Sequence, residues 1–220
     1  MDIGMSIVKS PVRSIPNIWQ PASEDPRAGY LMVVLHGRGD SPEGFESFRD
    51  ELAIPGLSAL LLQAPDPYYT GFSWYELPPD QLPGVERSRG LLEKAFAEIF
   101  TAGYVPERTF LMGFSQGCLM TLEFGARFNT RLAGYLGISG YCLDEKKLIT
   151  DSRPETRTAP WFVTHGDQDD VLPVARTRAQ MQALAQAGFR LDYREYRKGH
   201  TIDPRRELPD LREWFKSLMK

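Results

Sequence analysis

The chain has 220 residues, 42% hydrophobic and 25% charged, which excludes a disordered or fibrous chain. Lys and Arg number 26 against 29 Asp and Glu, and a net charge of −3 lacks the basic surplus of a general nucleic-acid binder. The two cysteines, Cys118 and Cys142, cannot build a disulfide framework and point to a reducing, cytoplasmic setting.

A chain of this length is expected to form one domain over residues 1–220. The start lacks the basic opening of a signal peptide, and no apolar run approaches the roughly 20 residues of a membrane span. No stable membrane insertion is expected, and a homodimer is compatible with the composition.

In chain order, Ile7 to Ile18 is read as one or two edge strands. Tyr30 to Leu35 is a short, continuously apolar run, the mark of a central parallel strand. It stops at His36-Gly37-Arg38-Gly39-Asp40. Ser41-Pro42-Glu43 reads as a cap with proline at the first helical position, opening a helix to about Leu52. Leu57 to Ala64 is a second buried strand.

Residues 65–84 are rich in proline and aromatics and read as neither helix nor regular strand. A loop this long inside a compact domain is usually functional. Tyr68, Tyr69, Phe72, Trp74, Tyr75, Leu77 and Leu82 can form an apolar wall for a ligand there, or pack on the core. Val85 to Ala102 has helical apolar spacing and stops at Gly103. The remaining elements are strands at Arg108–Phe114, Leu132–Ile138, Pro160–Thr164 and Arg190–Tyr196. Helices are expected at Gln116–Phe128, Pro173–Ala187 and Pro204–Met219. This alternation means a mostly parallel α/β sheet with helices on both faces, a three-layer sandwich, whose ligands sit at the carboxyl ends of the strands.

Gly113-Phe114-Ser115-Gln116-Gly117 lies between an apolar strand and a helix. That context suits a nucleophile elbow, in which a strained serine projects its hydroxyl above the sheet. A plain serine N-cap is the bland alternative. Gly137-Ile138-Ser139-Gly140 also follows a strand, but no strong helix follows it, and it reads as a loop. Serine needs a base. His36 and His165 each end a strand at a His-Gly turn. His200 lies after the last strand, and only it has an acid candidate between itself and Ser115, in the chain order serine, acid, histidine. The acid lies among Asp167, Asp169 and Asp170, which spacing alone does not separate. Arg190, Arg194, Arg197, Lys198, Arg205 and Arg206 make the region near His200 basic, read first as a solvated face.

LHGRGD at 35–40, FSWYEL at 72–77, GFSQGC at 113–118, HGDQDDVLP at 165–173 and YRKGH at 196–200 together resemble the alpha/beta-hydrolase superfamily. More narrowly, they resemble its phospholipase/carboxylesterase family, which includes acyl-protein thioesterases and bacterial carboxylesterases. The resemblance implies Ser115 as nucleophile, His200 as base and Asp169 as orienting acid. It implies an oxyanion hole from the backbone N–H groups of Arg38 and Gln116, and substrate contacts from Phe72, Trp74, Tyr75 and Leu77. The implied reaction is hydrolysis of a small-molecule ester or acyl substrate, with no metal and no cofactor. Cys118 stands where relatives often carry glycine and reads as a packing residue. Arg38 stands where they are often apolar, and a cation there could favour anionic esters.

Overall fold

The computed structural model describes residues 9–219; within the expected edge-strand region, Ile7 and Val8 lie outside them. The strands are β1 (Asn17–Gln20), β2 (Tyr30–Leu35), β3 (Leu57–Leu62), β4 (Asp66–Tyr68), β5 (Gly71–Ser73), β6 (Thr109–Phe114), β7 (Gly134–Ile138), β8 (Trp161–Gly166) and β9 (Leu191–Tyr196). The helices are α1 (Phe48–Leu52), α2 (Gln81–Thr101), α3 (Gln116–Gly125), α4 (Glu145–Asp151), α5 (Pro154–Arg157), α6 (Val174–Gln186) and α7 (Glu207–Leu218).

Seven strands form one sheet in the order β1-β3-β2-β6-β7-β8-β9. Only β1 runs antiparallel, against β3 at the edge. Alternation along β2 shows how the sheet is covered on both faces. Leu31, Val33 and Leu35 pack with Leu92 and Phe96 of α2 and Leu119 of α3. Met32 and Val34 face the other way, toward Phe48 and Leu52 of α1 and Leu211 and Phe215 of α7. Apolar side chains on both faces are what a buried parallel sheet requires.

Several elements differ from the sequence reading. Among the described residues the expected edge strands reduce to β1, which begins only at Asn17. The helix expected over 41–52 splits into a 3-10 turn (Pro42–Phe45) and α1. Gly44 weakens the middle of that stretch, and the Ser41 N–H is taken by the Asp40 carboxylate at 2.8 Å. Helix α3 stops at Gly125 instead of Phe128: the Glu123 carbonyl is taken by the Arg127 guanidinium at 3.1 Å, and the Arg127 N–H donates to Phe124 O at 3.1 Å, which tightens the last turn. Helix α7 starts at Glu207, since Asp203 holds the Arg205 N–H (2.8 Å) in a turn. The loop at 65–84 contains the β4–β5 hairpin, and its last four residues belong to α2. The hairpin forms by pairing outward: Gly39 N–H donates to Phe72 O and Phe72 N–H to Asp40 O, both at 2.8 Å. A partner that distant in sequence leaves no local pattern. The short helices α4 and α5 were not anticipated; Asp144 caps α4 by accepting the Lys147 N–H at 3.0 Å.

Helix α3 lies so close to β2 that a Cβ on Gly117 would run into the Leu35 carbonyl oxygen. At Gly90, within α2, a Cβ would meet nothing within 4 Å. Gly117→Ala should therefore destabilise by about 1–3 kcal/mol through overpacking. Gly90→Ala should stabilise by about 0.5–1 kcal/mol through lost unfolded-chain entropy. Thermal melts of the two variants should move in opposite directions; a shared direction contradicts this packing.

Candidate active site

Ser115 sits where β6 turns into α3, with φ 55° and ψ −113°, a left-handed conformation that non-glycine residues avoid. The turn is held from both sides. Ser115 N–H donates to Ile138 O at 2.9 Å, and Ser115 O accepts from Cys118 N–H at 3.0 Å. The side chain is left projecting at the carboxyl end of the sheet.

Two further loops leave the same edge. After β8, Asp169 is buried while Asp167 and Asp170 are exposed. Its Oδ1 accepts the N–H groups of Val171 (3.0 Å) and Leu172 (2.8 Å), a local turn that locks the carboxylate. Its Oδ2 meets His200 Nδ1 at 2.8 Å. After β9, the His200 ring presents Nε2 to Ser115 Oγ at 2.9 Å. The structure thus brings together Ser115, His200 and Asp169, and leaves the other two aspartates outside. Burial alone would raise the Asp169 pKa. The Leu172 N–H together with the hydrogen bond and charge of His200 outweigh it and hold the carboxyl below its usual range. The Phe114 ring lies 5.1 Å from the His200 ring, centroid to centroid, and lines one side of it.

The other histidines are structural. His36 Nδ1 lies 2.7 Å from Gly37 O, while its Nε2 accepts the Ala64 N–H at 3.0 Å. Those partners require the neutral ring with the proton on Nδ1. His165 Nε2 meets Leu172 O at 2.8 Å and supports the Asp169 loop from below. Cys118 is fully buried, and burial lifts its thiol to about 12. It cannot serve as a thiolate nucleophile at neutral pH.

The backbone N–H of Arg38 and that of Gln116 form no hydrogen bond with another described residue. Gln116 opens α3, where the first N–H groups are orphaned by helix geometry. The side chain of Gln116 does something the sequence did not disclose. Its Oε1 accepts Trp74 N–H at 2.9 Å and its Nε2 donates to Tyr75 O at 2.7 Å. Trp74 Nε1 donates to His36 O at 3.0 Å. The aromatic loop is thereby bolted to the serine turn and to the Arg38 loop together. The Arg38 guanidinium stacks over Tyr68, 4.7 Å from the ring centroid.

The four residues expected to touch substrate differ in exposure. Trp74 and Tyr75 are buried in the core, Phe72 is half-buried, and Leu77 is exposed. The cavity that opens beside His200, about 290 Å³, is lined instead by Asp40, Phe45, Phe48, Phe114, Ile202 and neighbours. Phe45 and Phe48 had read only as helix residues; no motif marks them. Among the described residues no group of three or more His, Cys, Asp or Glu side chains is placed to hold a metal ion. No helix among them is long and apolar enough to cross a membrane.

A model of the phospholipase/carboxylesterase family matches residues 20–219. The chain belongs to this family. Acyl-protein thioesterase 1 of Yarrowia lipolytica is 30% identical over 159 residues, 64% of this chain and 70% of its own. Acyl-protein thioesterase 1 of Kluyveromyces lactis is 25% identical over 93% of this chain and 98% of its own. The crystal structure of esterase PE8 superposes with a TM-score of 0.82 at 25% identity, covering 93% of this chain and 98% of that one. The fold is accordingly the alpha/beta-hydrolase fold, and the chain is a hydrolase of the esterase and thioesterase kind.

His36 and His165 are both held below the usual histidine pKa, in each case chiefly by burial and despite hydrogen bonds that oppose the shift. Below about pH 6.5 the unfolded chain takes up protons at these sites while the folded one resists. Their stabilising contribution is complete above that pH and falls as pH drops through the folded pKa values. The urea midpoint should be lower at about pH 5.5 than at about pH 7.5. An unchanged midpoint contradicts the assignment.

Proposed function

We propose that this chain is a serine hydrolase that cleaves carboxylic esters, thioesters or lysophospholipids through an acyl-enzyme on Ser115. One observation carries the reading: a single imidazole, His200, lies 2.9 Å from a strained serine hydroxyl and 2.8 Å from a buried carboxylate. His200 takes the Ser115 proton as Oγ attacks the carbonyl carbon, then delivers it to the leaving alcohol or thiol. It next activates water for deacylation. Asp169 holds the proton on Nδ1, so that Nε2 faces the serine, and stabilises the imidazolium. The Arg38 and Gln116 N–H groups stabilise the oxyanion, a role whose loss typically costs 10²–10³ in rate. Every proton is carried by side chains of this chain or by water. With Cys118 and Cys142 both free, a reducing compartment such as the cytoplasm suits it.

Ser115→Ala should lower kcat by about 10⁶, and Asp169→Asn by about 10⁴. A fluorophosphonate probe should label the wild type and not Ser115→Ala. Near-normal activity in Ser115→Ala overturns the reading, and absence of labelling on folded wild type points to a binding module instead.

The acyl or alcohol group is assigned to the cavity beside His200. Its size, about 290 Å³, falls just under the usual range of roughly 300–1,000 Å³ for small-molecule sites. Ile202→Trp should narrow it and shift the optimum of a p-nitrophenyl ester series to shorter chains. An unchanged profile removes this cavity from substrate binding.

A further inference from the structure

Lys198 does not belong to the solvated basic face its sequence suggests. Arg190, Arg194, Arg197, Arg205 and Arg206 are exposed, but the Lys198 side chain is 2% exposed and that of Glu207 0%. The ammonium contacts both Glu207 oxygens at 2.6 Å, donates to Thr201 O at 2.7 Å and reaches Ser139 Oγ at 3.4 Å. Glu207 Oε2 also accepts the Asp203 N–H at 2.9 Å. Lys198 O accepts the Gln168 N–H at 3.1 Å, which ties in the Asp169 loop.

The two charged residues are nine positions apart, and His200 lies between them. Strand β9 stands three places from β6 in the sheet. At about 4.8 Å per strand, the chain after β9 must return some 14 Å to bring His200 over Ser115. Ser139, at the end of the intervening β7, lies on that return path. A buried ion pair is weak evidence for stability, because apolar residues of similar volume often do as well. Here its directional bonds run to backbone groups at Thr201 and Asp203, just beyond His200.

We infer that Lys198 and Glu207 are positioning residues that clamp the 198–207 loop and so set the reach of His200 to Ser115. The inference rests on the proposed role of His200 as base. Neither residue touches the reacting atoms. The Lys198 ammonium reaches the end of β7 at Ser139, its backbone carbonyl holds the segment after β8, and Glu207 anchors the loop to α7.

Three variants separate positioning from packing. Lys198→Met alone leaves the Glu207 charge buried without its partner and should lower Tm. The double variant Lys198→Met/Glu207→Leu replaces the pair by apolar groups and should recover the wild-type Tm. It should still show a kcat reduced by about 10², the usual cost of a 1 Å misplacement, with KM unchanged and slower labelling of Ser115 by a fluorophosphonate. A double variant with wild-type Tm and wild-type kcat overturns the inference, as does one in which only KM moves. Should the double variant not fold, Glu207→Gln keeps size and acceptor. Folded Glu207→Gln is then expected to lose at least about tenfold in kcat with KM unchanged, and wild-type kcat overturns the clamp. Ser115→Ala read alongside distinguishes the failures: if it keeps activity, the proposed reaction fails; if it is inactive while the double variant is fully active, only the clamp fails.

Discussion

Everything in this fold turns on one imidazole reaching two partners whose chain positions are far apart. Ser115 follows β6, Asp169 follows β8, and His200 follows β9. The sheet order places β7 between the first two, so neither partner is a neighbour of the serine strand. Parallel strands put all three loops on one edge, and the loops must then bend back toward a common point. Hydrogen bonds of 2.8 and 2.9 Å show that the bend closes.

Such closure demands rigid supports, and the supports are polar. The serine turn is fastened to β7 through Ile138 O. Asp169 is fastened by two backbone N–H groups of its own loop. Gln116 holds the aromatic loop to the serine turn, and Trp74 Nε1 ties that loop to the His36 carbonyl. The bonds made by Gln116 and Trp74 are buried, so a change at one partner strands the other without a hydrogen bond. The apolar layers on either side of the sheet provide the bulk of burial, but they are non-directional. They could not by themselves set a hydroxyl within reach of a ring nitrogen.

Where sequence reading and structure part, long-range contacts are the cause. Trp74 and Tyr75, in a proline-rich loop, read either as a pocket wall or as core packing. They are buried in the core, where Gln116 and His36 offer that loop buried partners. Lys198 looked like one of six surface cations. A carboxylate nine residues onward draws it inside. Phe45 and Phe48 line the cavity beside His200, one from the 3-10 turn and one from the start of α1, with 6.0 Å between ring centroids.

By itself the sequence determined the strand-helix alternation, because apolar runs and helical spacing are local patterns written in consecutive residues. It also marked Ser115 and His200, since an elbow between strand and helix and a histidine after the last strand are local too. Among Asp167, Asp169 and Asp170 the residues alone left the choice open, and the family resemblance pointed to Asp169. Only the tertiary structure shows that carboxylate buried under the imidazole, because the direction of a side chain in a loop depends on which backbone groups it captures. The cavity, the Gln116 bolt and the buried pair at 198 and 207 were likewise decided by contacts between distant segments, which leave no periodic trace in a chain.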